Sequence, residues 1–131
     1  MSDFGSYSGR AFLELNLPPR EWLVENIIRF KDSVLFVGNE KSGKSLFIFQ
    51  LVCSLTSGHP FLDSYTIKKP CKVVYIQLEG ELNDSQDRFK RMMKTQECNP
   101  DNFLLLFYAP LEMQENSYRM GLQKHIQDKW N

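Results

Sequence analysis

Gly38-Asn39-Glu40-Lys41-Ser42-Gly43-Lys44-Ser45 fits the pattern G-x-x-x-x-G-K-[ST] at every fixed position. The residues just before it, Ser33–Val37, form a short continuous apolar run. Such a run predicts a strand buried on both faces. The residues just after it, Ser45–Leu55, are apolar almost all round, which predicts a helix packed deep against a sheet, with Gly58 as its stop. Strand, loop and helix in that order are the context a phosphate-binding loop requires. Gly38 and Gly43 permit backbone angles that a Cβ would forbid. The loop from Gly38 through Asn39, Glu40, Lys41 and Ser42 can then turn its N–H groups inward as a nest for a polyanion. Lys44 is a flexible point charge with the reach to meet β- and γ-phosphates. The Ser45 hydroxyl is a hard oxygen donor suited to Mg²⁺. The helix that begins here adds the positive end of its dipole. The plainer reading is a glycine-containing turn that happens to carry a lysine. It leaves unexplained why both flanking elements are present as well.

Further out, residues 1–17 mix polar and apolar side chains and read as a loose N-terminal arm. Pro18-Pro19 predicts the opening of a short amphipathic helix over Arg20 to Arg29, with Trp22, Leu23, Ile27 and Phe30 near one face. Cys71–Leu78 is β-branched and aromatic and predicts a second strand, closed by Glu79-Gly80-Glu81. Asn83 or Asp84 is placed to cap a helix running to about Gln96. Phe89, Met92 and Met93 form its core side, and Arg88, Lys90, Arg91 and Lys94 its wet side. A turn at Asn99-Pro100-Asp101 leads to a third strand, Phe103–Tyr108, which Pro110 ends. The last helix is predicted from about Glu115 to Trp130, with Tyr118, Leu122, Ile126 and Trp130 on one stripe. Strands alternating with helices argue for an α/β fold with a mainly parallel sheet.

Composition narrows the function classes. Sixteen Lys and Arg balance sixteen Asp and Glu in 131 residues, so the chain is neither a strongly basic nucleic-acid glove nor an acidic tail. Hydrophobic residues at 42% supply a packed core. The apolar runs are too short to span a membrane. Cys53, Cys71 and Cys98 form no CxxC pair and are odd in number, so they read as reduced thiols in a cytoplasmic protein.

From about Leu17 to Met93 the sequence resembles the RecA-like AAA-domain ATPases, close to the RepA-type replicative helicases of plasmids and phages. The residues that carry the resemblance are Trp22-Leu23-Val24-Glu25, Phe36-Val37-Gly38, Gly43-Lys44-Ser45 with its helix to Ser54, and Ser57-Gly58-His59-Pro60-Phe61-Leu62. Val73–Glu79 and Arg88-Phe89 complete the match. The resemblance implies a P-loop NTPase fold, three-layer α/β/α, with residues 18–131 as the N-terminal part of an ATP-binding domain. It implies ATP and Mg²⁺ as ligands and a carboxylate at the end of the second strand, here Glu79, that activates the attacking water. Glu81 is the alternative. DNA and a homo-oligomeric ring are the partners it implies, in helicase, replication or DNA-remodelling work.

The family also implies a later apolar strand ending in Asp. Phe103–Tyr108 ends instead in Ala109-Pro110. The chain therefore reads as an N-terminal fragment of a longer ATPase, incomplete at the C-terminus, with low or no turnover of its own. Two other readings stand beside this one: a nucleotide-binding module without hydrolysis, and a small-molecule kinase on the same loop. His59 and His125 read as structural or solvated. The basic cluster Arg88, Lys90, Arg91 and Lys94 reads either as a solvated helix face or as a contact for the phosphate backbone of a nucleic acid or for a neighbouring subunit. Phe47, Phe49 and Phe107 read as core, and Lys41 as solvated.

Overall fold

A computed structural model describes residues 5–39, 41–107 and 116–130. Its elements, in chain order, are α1 (Gly9–Leu13), β1 (Trp22–Val24), β2 (Ile28–Arg29), α2 (Lys44–Ser57), β3 (Val73–Gln77), α3 (Leu82–Met92), a 3₁₀ turn (Pro100–Asn102), β4 (Phe103–Phe107) and α4 (Asn116–Trp130). β3 and β4 pair in parallel from Val73 with Phe103 to Gln77 with Phe107. α3 is the crossover between them. This is the strand–helix–strand unit that the alternating pattern predicts.

α2 is the organising helix. It is apolar nearly all round because it feeds two clusters. On one flank Leu55 packs with Val24, Phe61 and Ile67. On the other, Phe49 and Val52 pack with Phe89, backed by Tyr75, Met92 and Phe103. The Phe49 and Phe89 ring centroids lie 4.1 Å apart, and Phe89 and Phe103 4.8 Å. Gly58 ends the helix at φ 81°, and its N–H donates to Ser54 O at 2.8 Å. The carbonyls left over at this end are also paired. Leu55 O accepts from Cys71 N at 2.7 Å, and Thr56 O accepts from Asn102 Nδ2 at 3.0 Å. These bonds tie the end of α2 to the starts of both parallel strands.

Three expectations are corrected. Arg20 to Arg29 is not a helix but an antiparallel pair, β1 against β2. Asn26 sits at φ 65° in the connecting turn, and Ile27 N donates to Val24 O at 3.0 Å. Arg29 stacks its guanidinium over the Trp22 ring at 4.6 Å, a cross-strand contact that a helix would not allow. Val24 enters the core with 0% exposure.

Ser33–Val37 is not a buried strand. It has no ladder partner among the described residues, and Val34, Leu35, Phe36 and Val37 are 61%, 87%, 46% and 79% exposed. A strand is defined by its neighbours' hydrogen bonds, which an apolar run cannot supply for itself. Phe36 is anchored nonetheless, stacked on Phe47 of α2 at 4.5 Å.

The third correction concerns α3. Its N-cap is Glu81, with no side-chain cap bond, so neither Asn83 nor Asp84 fills that place. Helix α3 ends at Met92, short of Gln96, and Met93 is 41% exposed, so it leaves the core side. The residues that end the third strand, Tyr108 to Pro110, lie outside the described residues, as does Glu115 at the predicted start of the last helix.

Candidate functional site

The phosphate-loop motif forms a tight turn between the extended segment and α2. Ser42 N donates to Asn39 O at 3.2 Å, and Phe47 N donates to Gly43 O at 3.0 Å as the first turn of helix begins. Gly43 caps α2 at φ 86°, and Lys41 is also left-handed at φ 59°. Gly38 is fixed by close approach. A Cβ built on it would lie 2.8 Å from Ser42 Oγ and 3.1 Å from Lys44 Cγ and Cδ. The loop therefore closes over the space a side chain would fill. The half-buried Lys44 ammonium donates to the carbonyls of Gly38 and, at 3.3 Å, Asn39. Glu40 lies outside the described residues. Ser45 is exposed at the start of α2, where its hydroxyl is open to a ligand.

Two openings meet at Ser45. One is a groove of about 750 Å³ lined by the loop from Lys41 to Leu46 and by Arg88, Arg91 and Gln96 across from it. The other is a smaller cavity of about 160 Å³ that brings Ser45 together with Glu79, Glu81, Asp84 and Arg88. Both candidate carboxylates therefore share a cavity with the loop, and Glu79 is exposed within it.

The turn that carries Glu79 is held from below. Ser85 Oγ, on the buried face of α3, donates to Gln77 Oε1 at 2.6 Å, and Gln77 Nε2 donates to Glu79 O at 2.7 Å. Gly80 follows at φ 83°, and a Cβ there would lie 3.3 Å from Gln77 Nε2.

Some of these residues were not legible as site residues. Arg88 is on the solvated face of α3, as predicted, yet it lines both openings. Burial raises the Tyr75 phenol pKa, and the nearby Arg88 charge pulls it back. Arg91 joins Arg88 one turn on, whereas Lys90 lies along a different groove. Asp84 lines the cavity instead of capping the helix. Helical spacing could have put Arg88 and Arg91 on one face. Nothing in the sequence says that this face looks at the phosphate loop.

His59 is placed elsewhere. Its Nε2 lies 3.0 Å from Asp63 Oδ1 in the loop after α2. Cys53, Cys71 and Cys98 are free. Burial pushes the Cys53 thiol up to about 12, with the adjoining Cys98 thiol adding to the effect. No helix among the described residues is long and apolar enough to cross a membrane.

A family model described as AAA domain matches residues 8–128, nearly the whole chain. The chain belongs to this family. It is an AAA-type P-loop ATPase family, and it gives the chain a nucleotide-binding function of the ATPase type. The phosphate loop, the parallel β3–β4 pair and the α3 crossover agree with that fold class. No curated protein and no solved structure matches the chain.

Proposed function

We propose that this AAA-domain chain binds ATP with Mg²⁺ at the Gly38–Ser45 loop and that Glu79 is the base for hydrolysis. The observation that carries the reading is the shared cavity of Ser45 and Glu79. Hydrolysis needs a triphosphate held at one end and a carboxylate beside the attacking water at the other. The loop fits its ligand. Gly38 leaves no room for a side chain, Gly43 adopts the left-handed turn, and the N-terminal amides of α2 follow at once.

Lys44 would exchange its carbonyl partners for β- and γ-phosphate oxygens. Backbone N–H groups from Asn39 to Ser45, Glu40 included, would cradle the same phosphates. Ser45 would hold Mg²⁺, which when bound neutralises charge that develops on the phosphate oxygens. Glu79 would take the proton of the attacking water. Arg88 and Arg91 add cations on the far wall of the groove, where they would offset the charge of a polyphosphate.

The finer reading is a RecA-like, RepA-type ATPase that completes a three-layer α/β/α domain, assembles as a ring and couples hydrolysis to work on DNA. The residue matches from Trp22 to Phe89 support it. So does the exposed apolar run at Val34–Val37, which has the character of a strand awaiting neighbours. A Mg·ATP titration combined with phosphate release, with and without single-stranded DNA, tests both levels. Binding with release that DNA accelerates is expected. Binding without release, with or without DNA, would support a nucleotide-binding module instead. Transfer of the γ-phosphate to a small-molecule acceptor would support a kinase.

A further inference from the structure

The geometry points to Gln77 as the positioning residue for Glu79, with Ser85 as its anchor; the inference rests on the reading of Glu79 as the hydrolytic base. Gln77 is the last residue of β3, paired in register with Phe107 of β4, so its backbone is fixed by the parallel ladder. Its side chain is half-buried and uses both ends of its amide. The carbonyl end accepts from Ser85 Oγ at 2.6 Å, and the amino end donates to Glu79 O at 2.7 Å. Ser85 is only 5% exposed and sits on the rigid inner face of α3. The bridge therefore runs from a buried helix residue, through a strand end, to the turn that carries the carboxylate.

The turn needs such a bridge. Leu78 to Glu81 belong to neither β3 nor α3, and Glu79 itself is exposed. Gly80 brings the chain round at a left-handed φ of 83° against the Gln77 amide. A loop carboxylate in solvent has many rotamers and little to choose among them. Fixing the peptide that bears it is the available way to aim it at the Ser45 cavity. Catalysis by an acid or base group falls steeply when that group is misplaced, while phosphate binding by a separate loop does not. Gln77 therefore acts on the chemical step and leaves nucleotide affinity alone.

Gln77→Leu keeps the side chain's bulk and removes both bonds. Ser85→Ala removes the anchor only. Each is compared with Glu79→Gln, Lys44→Ala and the double variant Gln77→Leu/Glu79→Gln. The readouts are Mg·ATP affinity, single-turnover phosphate release with protein in excess, and amide hydrogen exchange over residues 79–81. Loss of one or two hydrogen bonds predicts a release rate lower by about three- to tenfold in Gln77→Leu and less in Ser85→Ala. Mg·ATP affinity stays within about twofold of the parent, the usual scatter for a site that is not touched. Exchange rises at residues 79–81 but not in β3. In the Glu79→Gln background, Gln77→Leu has no further effect, because nothing is left to position.

Gln77→Leu that slows the Glu79→Gln protein as much as the parent would overturn the positioning role, and so would unchanged exchange over residues 79–81. If the parent chain releases no more phosphate than Lys44→Ala, the exchange measurement alone decides in the same two directions. Failure of the underlying reading looks different: Glu79→Gln would release phosphate at the parent rate, and Lys44→Ala would bind ATP as the parent does.

Discussion

The Cβ that Gly38 lacks would lie 2.8 Å from the hydroxyl oxygen of Ser42. That approach brings the Ser42 and Lys44 side chains over the start of the phosphate loop. Gly38→Ala is therefore expected to push Ser42 off its rotamer, at about 1 kcal/mol, and to weaken Mg·ATP binding by about three- to tenfold. Ser42→Gly in the same background removes the clashing oxygen and should recover part of the loss. Titrations of the three proteins check this. Equal affinity in the parent and Gly38→Ala would mean that the close approach has no bearing on the ligand.

Glu79→Gln keeps the shape of the side chain and removes its basicity. Mg·ATP affinity is expected to persist, while phosphate release falls by about a hundredfold or more, the usual scale for a positioned acid or base. Unchanged release in this variant, with the loss appearing in Glu81→Gln, would move the base two residues along the same cavity.

Phe49 connects α2 to the β3–α3 layer, with 2% exposure and ring contacts to Tyr75 and Phe89. Truncation to Ala should destabilise the fold by about 3–5 kcal/mol, through lost burial and a cavity that aromatic neighbours fill poorly. A urea titration followed by tryptophan fluorescence measures it. A midpoint within error of the parent would contradict the packing described for α2.

Cys53 gives a test in the alkaline range. Its thiol is fully buried and held neutral up to about 12, because burial penalises the thiolate and Cys98 adds to that penalty. In the unfolded chain a thiol ionises from about pH 8.5. Between those values the unfolded state binds fewer protons than the folded one, so stability falls as pH rises, at no more than about 1.4 kcal/mol per pH unit. Below the unfolded value the penalty is absent. Cys53→Ala should therefore lose less stability than the parent between about pH 9 and 11, judged by paired urea titrations. Parallel curves would place Cys53 in contact with water.

The legible parts of the fold are those in which local chemistry and tertiary role coincide. α2 is apolar all round because it serves two clusters, and Gly58 ends it in a left-handed turn that glycine favours. β3 is β-branched and aromatic, β4 is built of Phe and Leu, and the two have each other as partners. The hairpin at Trp22–Arg29 was hidden because a short apolar stretch fits helical and strand spacing alike, and only Asn26 at φ 65° and the Trp22–Arg29 contact decide it. Val34–Val37 reads as a strand by composition, but pairing is a property of neighbours, not of the run itself. At the site, the phosphate loop is legible because both its glycines are required, Gly43 by its left-handed φ of 86° and Gly38 not by its backbone angles, as expected, but by the close approach of the Ser42 and Lys44 side chains. Arg88 and Asp84 were not, because exposure and helical spacing leave open which cavity a side chain lines.

The polyphosphate site proposed at the Gly38–Ser45 loop turns on Lys44. Its ammonium is held by the carbonyls of Gly38 and Asn39 at the loop's own rim, a short step from the phosphates it would meet. A charge-assisted bond of this kind is worth about 1.5–3 kcal/mol. Calorimetric titration of the chain with Mg·ATP should show one site per chain, and Lys44→Ala should weaken it by about ten- to a hundredfold. Equal ATP affinity in the parent and Lys44→Ala would contradict the account.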